Sequence, residues 1–245
     1  MSVGLTLATA ERVLRQLRHD RRTLALVFLV PPLLLTLFRY VFDGQEETFD
    51  RVGGPLVGLF PLVSMFLVTS IAMLRERTTG TLERLMSMPI GRLDLLLGYG
   101  LSFAAVAAVQ ATITSAVAFG LLGLDTAGPV WLVVALAIAN AVLGVSMGLF
   151  LSAFSRTEFQ AVQFMPAFVL PQILLAGLLV PRELMAEPLQ WLARLLPFTY
   201  AYDALAQVTQ TGTIDAELAR NVAVVCGCIV VALALGAATL RRRTE

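Results

Sequence analysis

Lysine is absent from this chain, histidine occurs once and cysteine twice, and each scarcity excludes a class of chemistry. A phosphate-binding P-loop reaches the nucleotide phosphates with a lysine. All 18 basic residues here are arginine, so ATP hydrolysis, if the system uses it, falls to another chain. The lone His19 reads as a solvated surface residue rather than a ligand or a base. Its isolation also disposes of a hydrolase reading of Gly144-Val145-Ser146-Met147-Gly148. That run fits the G-x-S-x-G nucleophile elbow, which needs a strand-to-helix turn with a histidine and an acid nearby. It lies inside a long apolar segment, where small residues that let helices approach closely explain it better. Cys226 and Cys228 stand two apart in another apolar run, point in different directions on a helix, and read as buried small filler.

Charge is scarce as well. Only 14% of residues are charged, against roughly 25% in a soluble domain, while 58% are apolar and the mean hydropathy is +0.81. Water is not the main solvent of such a chain. A membrane span needs about 20 mostly apolar residues, and six segments qualify: Thr23–Phe42, Pro55–Leu74, Leu95–Leu122, Pro129–Phe154, Gln160–Val180 and Asn221–Leu240. Pro31 and Pro32 in the first predict a kink rather than a break, and Arg39 near its end can snorkel to the headgroups. Too long for a signal peptide core and followed by no A-x-A-like site, this segment reads as an uncleaved helix.

Arginine placement orients the spans. Thirteen of the 18 fall on one side: Arg12, Arg15, Arg18, Arg21 and Arg22; then Arg75, Arg77, Arg84 and Arg92; then Arg156; and finally Arg241, Arg242 and Arg243. The opposite side carries ten acids, among them Asp43, Glu46, Glu47, Asp50, Asp125 and Glu183. The positive-inside rule makes the arginine-rich side cytoplasmic, with both termini there, as six spans require.

Three segments are not spans. Over residues 7–22, Glu11, Arg15, Arg18 and Arg22 form a charged stripe and Ala10, Val13, Leu14 and Leu17 gather away from it. This predicts an amphipathic helix in the headgroup plane, the alternative being a disordered basic arm. Between spans two and three, Gly80 can cap a short helix with Glu83 in its first turn. Leu82, Leu85 and Met86 then make its apolar face, and Pro89 helps to stop it. Such a helix rests on lipid or docks into a partner's groove; its physics alone leaves both open. The connection from Pro181 to Ala219, punctuated by Pro188, Pro197 and Gly212, suits a pair of short interfacial or re-entrant helices.

Along this order of segments the chain resembles the permeases of ABC type-2 transporters. The resemblance is carried by Arg75-Glu76, Gly80-Thr81-Leu82-Glu83-Arg84-Leu85, Pro89-Ile90, Arg92 and Leu97-Gly98 after span two. It continues through Ser152–Phe164, Leu175-Ala176-Gly177, Leu195-Leu196-Pro197-Phe198-Thr199-Tyr200 and Asp203-Ala204-Leu205. Met88, Gly91 and Tyr99 depart from the usual pattern. The resemblance implies an all-α integral membrane fold, one domain over residues 1–245, with six transmembrane helices. It adds an N-terminal elbow helix (7–22), a cytoplasmic coupling helix (76–90) and extracellular re-entrant helices (181–212) between spans five and six.

It further implies a multi-pass protein of a bacterial cytoplasmic membrane that is not itself an enzyme and holds no cofactor or metal. Its partners would be a second permease (an identical or a related chain), membrane lipids, and a cytosolic ATPase that binds ATP and Mg; nucleic acid is not among them. The coupling residues would be Glu76, Gly80, Thr81, Leu82, Glu83, Arg84, Leu85, Met86 and Pro89, and an exported drug or lipid-like substrate would pass between the two permeases, lined by spans two and five. Phe66, Gln163, Phe164, Phe168 and Gln172 are the path candidates. For Gln110, Asn140, Gln163 and Gln172 the competing reading is interhelical hydrogen bonding. A membrane anchor without a transport path is the alternative function. An ATP-independent carrier is disfavoured, because no series of intramembrane acids or histidines offers a proton relay.

Overall fold

A computed structural model describes residues 2–87 and 90–239, with the side chains of Glu83 and Met86 outside the described set. Among the described residues ten α-helices follow one another: α1 (Val3–His19), α2 (Arg21–Val41), α3 (Glu46–Thr78), α4 (Thr81–Met86), α5 (Arg92–Gly120), α6 (Val130–Leu151), α7 (Glu158–Ala176), α8 (Glu187–Leu195), α9 (Pro197–Ala206) and α10 (Ala216–Thr239). No strand occurs among the described residues. Six of the helices, α2, α3, α5, α6, α7 and α10, are long and apolar enough to cross a membrane. The all-α, six-span fold class therefore stands.

The boundaries shift for local reasons. The amphipathic segment is one helix, but it begins at Val3 and stops at His19 rather than spanning 7–22. Asp20 breaks it, its backbone at φ −88 and ψ 74 and its carboxylate accepting from the Thr23 amide at 3.1 Å and the Thr23 hydroxyl at 2.6 Å. That contact caps α2, so Arg22 belongs to the next helix and not to the charged stripe. α3 is longer than the expected Pro55–Leu74 at both ends. Glu46 and Glu47 in its first turn and Arg75 and Arg77 in its last suit the helix dipole, and both Pro55 and Pro61 are carried within it. α7 stops at Ala176, short of Val180, because Gly177 adopts a left-handed backbone at φ +102. α10 starts before Asn221, with the Asp215 carboxylate accepting from the amides of Glu217 and Leu218 at 2.9 and 3.0 Å. Leu240 and the arginines 241–243 lie outside the described residues.

Glycine lets α3 and α6 form the centre of the bundle. A Cβ on Gly144 would lie 2.2 Å from the carbonyl oxygen of Leu62, and one on Gly148 would lie 2.5 Å from that of Phe66. Both glycines of the supposed nucleophile elbow are thus contact points between helix backbones, and Ser146 between them donates to the carbonyl of Val142 at 2.8 Å. Small residues at a membrane helix interface act in this way. Leu62, Met65, Phe66, Leu143 and Leu149 are buried around this contact.

Candidate functional site

Two polar clusters mark the two ends of the bundle. At the arginine-rich end α1 is fastened to α5: the Ser2 amide donates to Asp94 Oδ1 at 3.0 Å, and the Ser102 hydroxyl donates to the Ala10 carbonyl at 2.8 Å. The Arg12 guanidinium donates to the Tyr99 hydroxyl and also lies over that ring, 5.5 Å from its centroid. Arg12 also approaches Glu76, at the end of α3, at 3.8 Å. Beside it Arg75 forks onto Glu158 at 2.7 and 3.2 Å, which ties the end of α3 to the start of α7. Paired parallel bonds of this kind fix geometry as well as charge.

The segment expected to be a coupling helix, 76–90, is not one helix. Residues 76–78 complete α3, Gly80 turns the chain at φ +74, and α4 follows from Thr81. Positive φ is cheap for glycine alone, so Gly80 makes the corner as well as preceding the short helix. Leu82 is 4% exposed and belongs to the bundle's own core, and Leu85 packs half-buried against it. That apolar face is therefore occupied within the chain, and the exposed Arg84 lies on the face left free. Glu76 corrects the expectation most clearly. It is 5% exposed and turned toward Arg12, so burial withholds it from a partner's surface. Thr81 is half-buried, with its hydroxyl 3.1 Å from that of Thr79. Pro89 lies outside the described residues, as do the side chains of Glu83 and Met86.

The five path candidates do not form one surface. Phe66 and Phe168 stack nearly parallel across α3 and α7, with centroids 6.3 Å apart and planes at 8°. Phe164 is half-buried and Gln163 is exposed on the outside of the chain. Gln172 is 2% exposed and donates to the Phe168 carbonyl within its own helix at 3.1 Å. Interhelical bonding holds for two of the four intramembrane amides. Gln110 donates to the Val27 carbonyl at 2.6 Å and the Ser64 hydroxyl at 2.9 Å, and Asn140 donates to the Ala201 carbonyl at 3.4 Å. Cys226 is exposed rather than buried, and Cys228 is intermediate. His19 is exposed, with Nδ1 2.7 Å from the Arg15 carbonyl.

At the acidic end the expected short helices are present as α8 and α9, with Pro188 and Pro197 in their first turns, where a missing amide costs nothing. Arg182 clamps Asp203 of α9 with two bonds of 2.9 and 2.8 Å. Burial pushes the Asp203 carboxyl above the usual carboxylate range, and Arg182 opposes that shift. Arg39 is partnered too. It donates to the Leu122 carbonyl at 3.3 Å, approaches Glu46 at 3.5 Å, and covers the Phe49 ring at 5.4 Å. Sequence reasoning missed Arg12, Tyr99, Asp94, Arg182 and Asp203 as interacting groups. The charges of Arg12, Asp94, Arg182 and Asp203 were visible, but the partners of Arg12 and Asp94 lie 64 to 92 positions away and share no periodicity.

A buried core pair, charged clusters at the two ends, and six helices apolar and long enough to cross a bilayer among the described residues define a multi-pass membrane protein. The ABC-2 type transporter family model matches residues 5–209, and the chain belongs to that family. Its relatives include ABC transporter G family member 20 of Dictyostelium discoideum, 26% identical over 173 residues, which cover 70% of this chain and 24% of that protein. The "Probable multidrug ABC transporter permease YbhR" of Escherichia coli is 29% identical over 153 residues, 62% of this chain and 42% of that one. The linearmycin resistance permease protein LnrN of Bacillus subtilis is 24% identical over 201 residues, 81% and 51% of the two chains. The chain thus spans from a quarter to about half the length of these curated relatives.

Proposed function

We propose that this chain is the permease subunit of an ABC exporter. It pairs with a second permease, identical or related, and moves a hydrophobic or amphipathic substrate on ATP hydrolysed, with Mg, in a separate ATPase. The arginine-rich end faces the cytoplasm, with the N-terminal helix and α4 on that side, as the arginine distribution favours. The observation that carries the reading is α4: a short helix bound by Leu82 to the bundle, between two spans, with Arg84 turned outward. A helix held in that way transmits a push on its exposed face into α3 and α5. The names of the relatives, two of them permeases tied to multidrug transport or drug resistance, support the substrate class.

The test is purification of the chain from its native host in mild detergent, with identification of stoichiometric partners. A P-loop ATPase should co-purify, and Arg84→Glu should release it while the permease stays monodisperse. Absence of any ATPase across a range of salt concentrations would sink the exporter reading and favour a membrane anchor.

A further inference from the structure

A cleft of about 560 Å³ opens between α1, α2 and α3, with Tyr99 and Phe103 of α5 and Met165 of α7 contributing to its wall. Its two ends differ in chemistry. Asp20, Thr23, Arg75 and Glu76 line it at the arginine-rich end, whereas Val30, Leu34, Phe60 and Val63 line it farther along α2 and α3. From Glu76 to Phe60 the α3 wall runs roughly 24 Å at the helical rise of about 1.5 Å per residue, close to the length of an extended long alkyl chain. The cleft is amphipathic along its length.

At its polar end Glu76 faces Arg12 and the Tyr99 hydroxyl, and Arg12 donates to that hydroxyl rather than to Glu76. Arg75 is taken up by Glu158. Asp20 stays ionised at the mouth, held below the usual carboxylate range by the Thr23 hydroxyl and then the Thr23 amide. Arg12 reaches one oxygen of Glu76 at 3.8 Å, too far for a hydrogen bond. The other oxygen, Oε2, is buried and accepts no hydrogen bond from the described residues. A buried carboxylate oxygen without a donor is costly, and an ammonium group would supply the donor. Beyond the head, the apolar walls would hold a tail.

We propose that this cleft binds a single-chain cationic amphiphile, its ammonium at the Glu76 and Asp20 end and its alkyl chain along α2 and α3. The proposal rests on the exporter reading only in treating such a molecule as cargo; filling the cleft requires no ATPase. The test uses the full chain in lipid nanodiscs with three photoreactive hexadecyl probes that differ only in the head: amine, alcohol and carboxylate. Crosslinks are mapped by mass spectrometry. The amine should label the cleft-lining stretches of α2 and α3 about tenfold more than the alcohol, as one hydrogen bond to a charged group implies, and the carboxylate should label them least. Glu76→Gln should bring the amine down toward the alcohol while alcohol labelling stays unchanged. Equal labelling by all three probes, or an amine preference that survives both Glu76→Gln and Asp20→Asn, would overturn the proposal. Should Glu76→Gln not yield folded protein, Leu67→Trp fills the cleft from α3 with both acids intact; amine labelling should then vanish, and its persistence would also overturn the proposal. Selective amine labelling in a chain that recruits no ATPase would keep the site and remove the exporter reading, so the two failures are separable.

Discussion

The central pair of spans and the outer spans are built on different terms. In the most apolar stretches of α3 and α6, 61% of residues are buried within the chain, against 22% in α2 and in α10. All are apolar enough for a membrane, so hydropathy does not separate them; the contacts do. α3 and α6 meet backbone to backbone through Gly144 and Gly148, whereas α10 turns Val230, Val231 and Leu235 outward. Lipid tails are as apolar as leucine, so packing rather than the hydrophobic effect holds membrane helices together. Stability should therefore be concentrated where the backbones touch, and the outer spans should be left to interact with lipid or a partner.

The strongest way to break this contrast is Gly144→Leu. Its Cβ would begin 2.2 Å from the Leu62 carbonyl oxygen, and a backbone atom cannot swing aside as a side chain can. Overpacking of this kind costs about 3 kcal/mol or more. The variant should lose most of its monodisperse fraction or show a large drop in melting temperature in detergent. A melting temperature equal to that of the parent would mean that α3 and α6 do not meet as described.

A smaller effect is expected at the acidic end. Arg182→Ala leaves the Asp203 carboxylate mostly buried without its fork, at a cost of about 1–2 kcal/mol after allowing for the partial exposure of both groups. The pH dependence has a definite sign. Burial holds the Asp203 carboxyl above its unfolded value despite Arg182, so the native state binds the extra proton. The stability this contributes is present below the unfolded value and lost as pH rises through the folded one. Removing Arg182 raises the folded value further. Its cost should therefore be smaller near about pH 4 than near about pH 7, and Asp203→Asn should suppress that difference. Melting curves of the three proteins at both pH values would show it; a cost independent of pH would mean that Asp203 is not the group left unpaired.

How much of this was legible in the sequence follows from what is local. The six spans and the short α8–α9 pair were readable because apolar run length and proline placement are properties of neighbouring residues. So was the amphipathic character of α1, but its end was not. Asp20 caps the following helix through Thr23, three residues on, and the expected stripe ran past it to Arg22. The site was less legible. Glu76 was expected to contact a partner only because the family resemblance implies it, and its encounter with Arg12, 64 positions earlier, is a tertiary contact that no local pattern announces. Leu82 looked available for docking because a short amphipathic helix has one apolar face; whether that face meets a partner or its own bundle is a tertiary fact. Gly144 and Gly148 were correctly read as packing residues, since the motif they mimic lacked its histidine.

The smallest effect sharpens the comparison from the other side. Val230 lies on the outward face of α10, whereas Leu143 is fully buried on α6. Truncating Leu143 to alanine leaves a cavity that the backbone contacts around it cannot close, costing about 2–4 kcal/mol. Val230→Ala removes contacts that lipid replaces, so it should change stability by less than about 0.5 kcal/mol in the isolated chain. If α10 instead meets a second permease, the same substitution should leave the monomer unaltered and weaken the dimer, a difference visible in concentration-dependent association in lipid. A Val230→Ala cost in the monomer as large as that of Leu143→Ala would abolish the distinction between the central and outer spans.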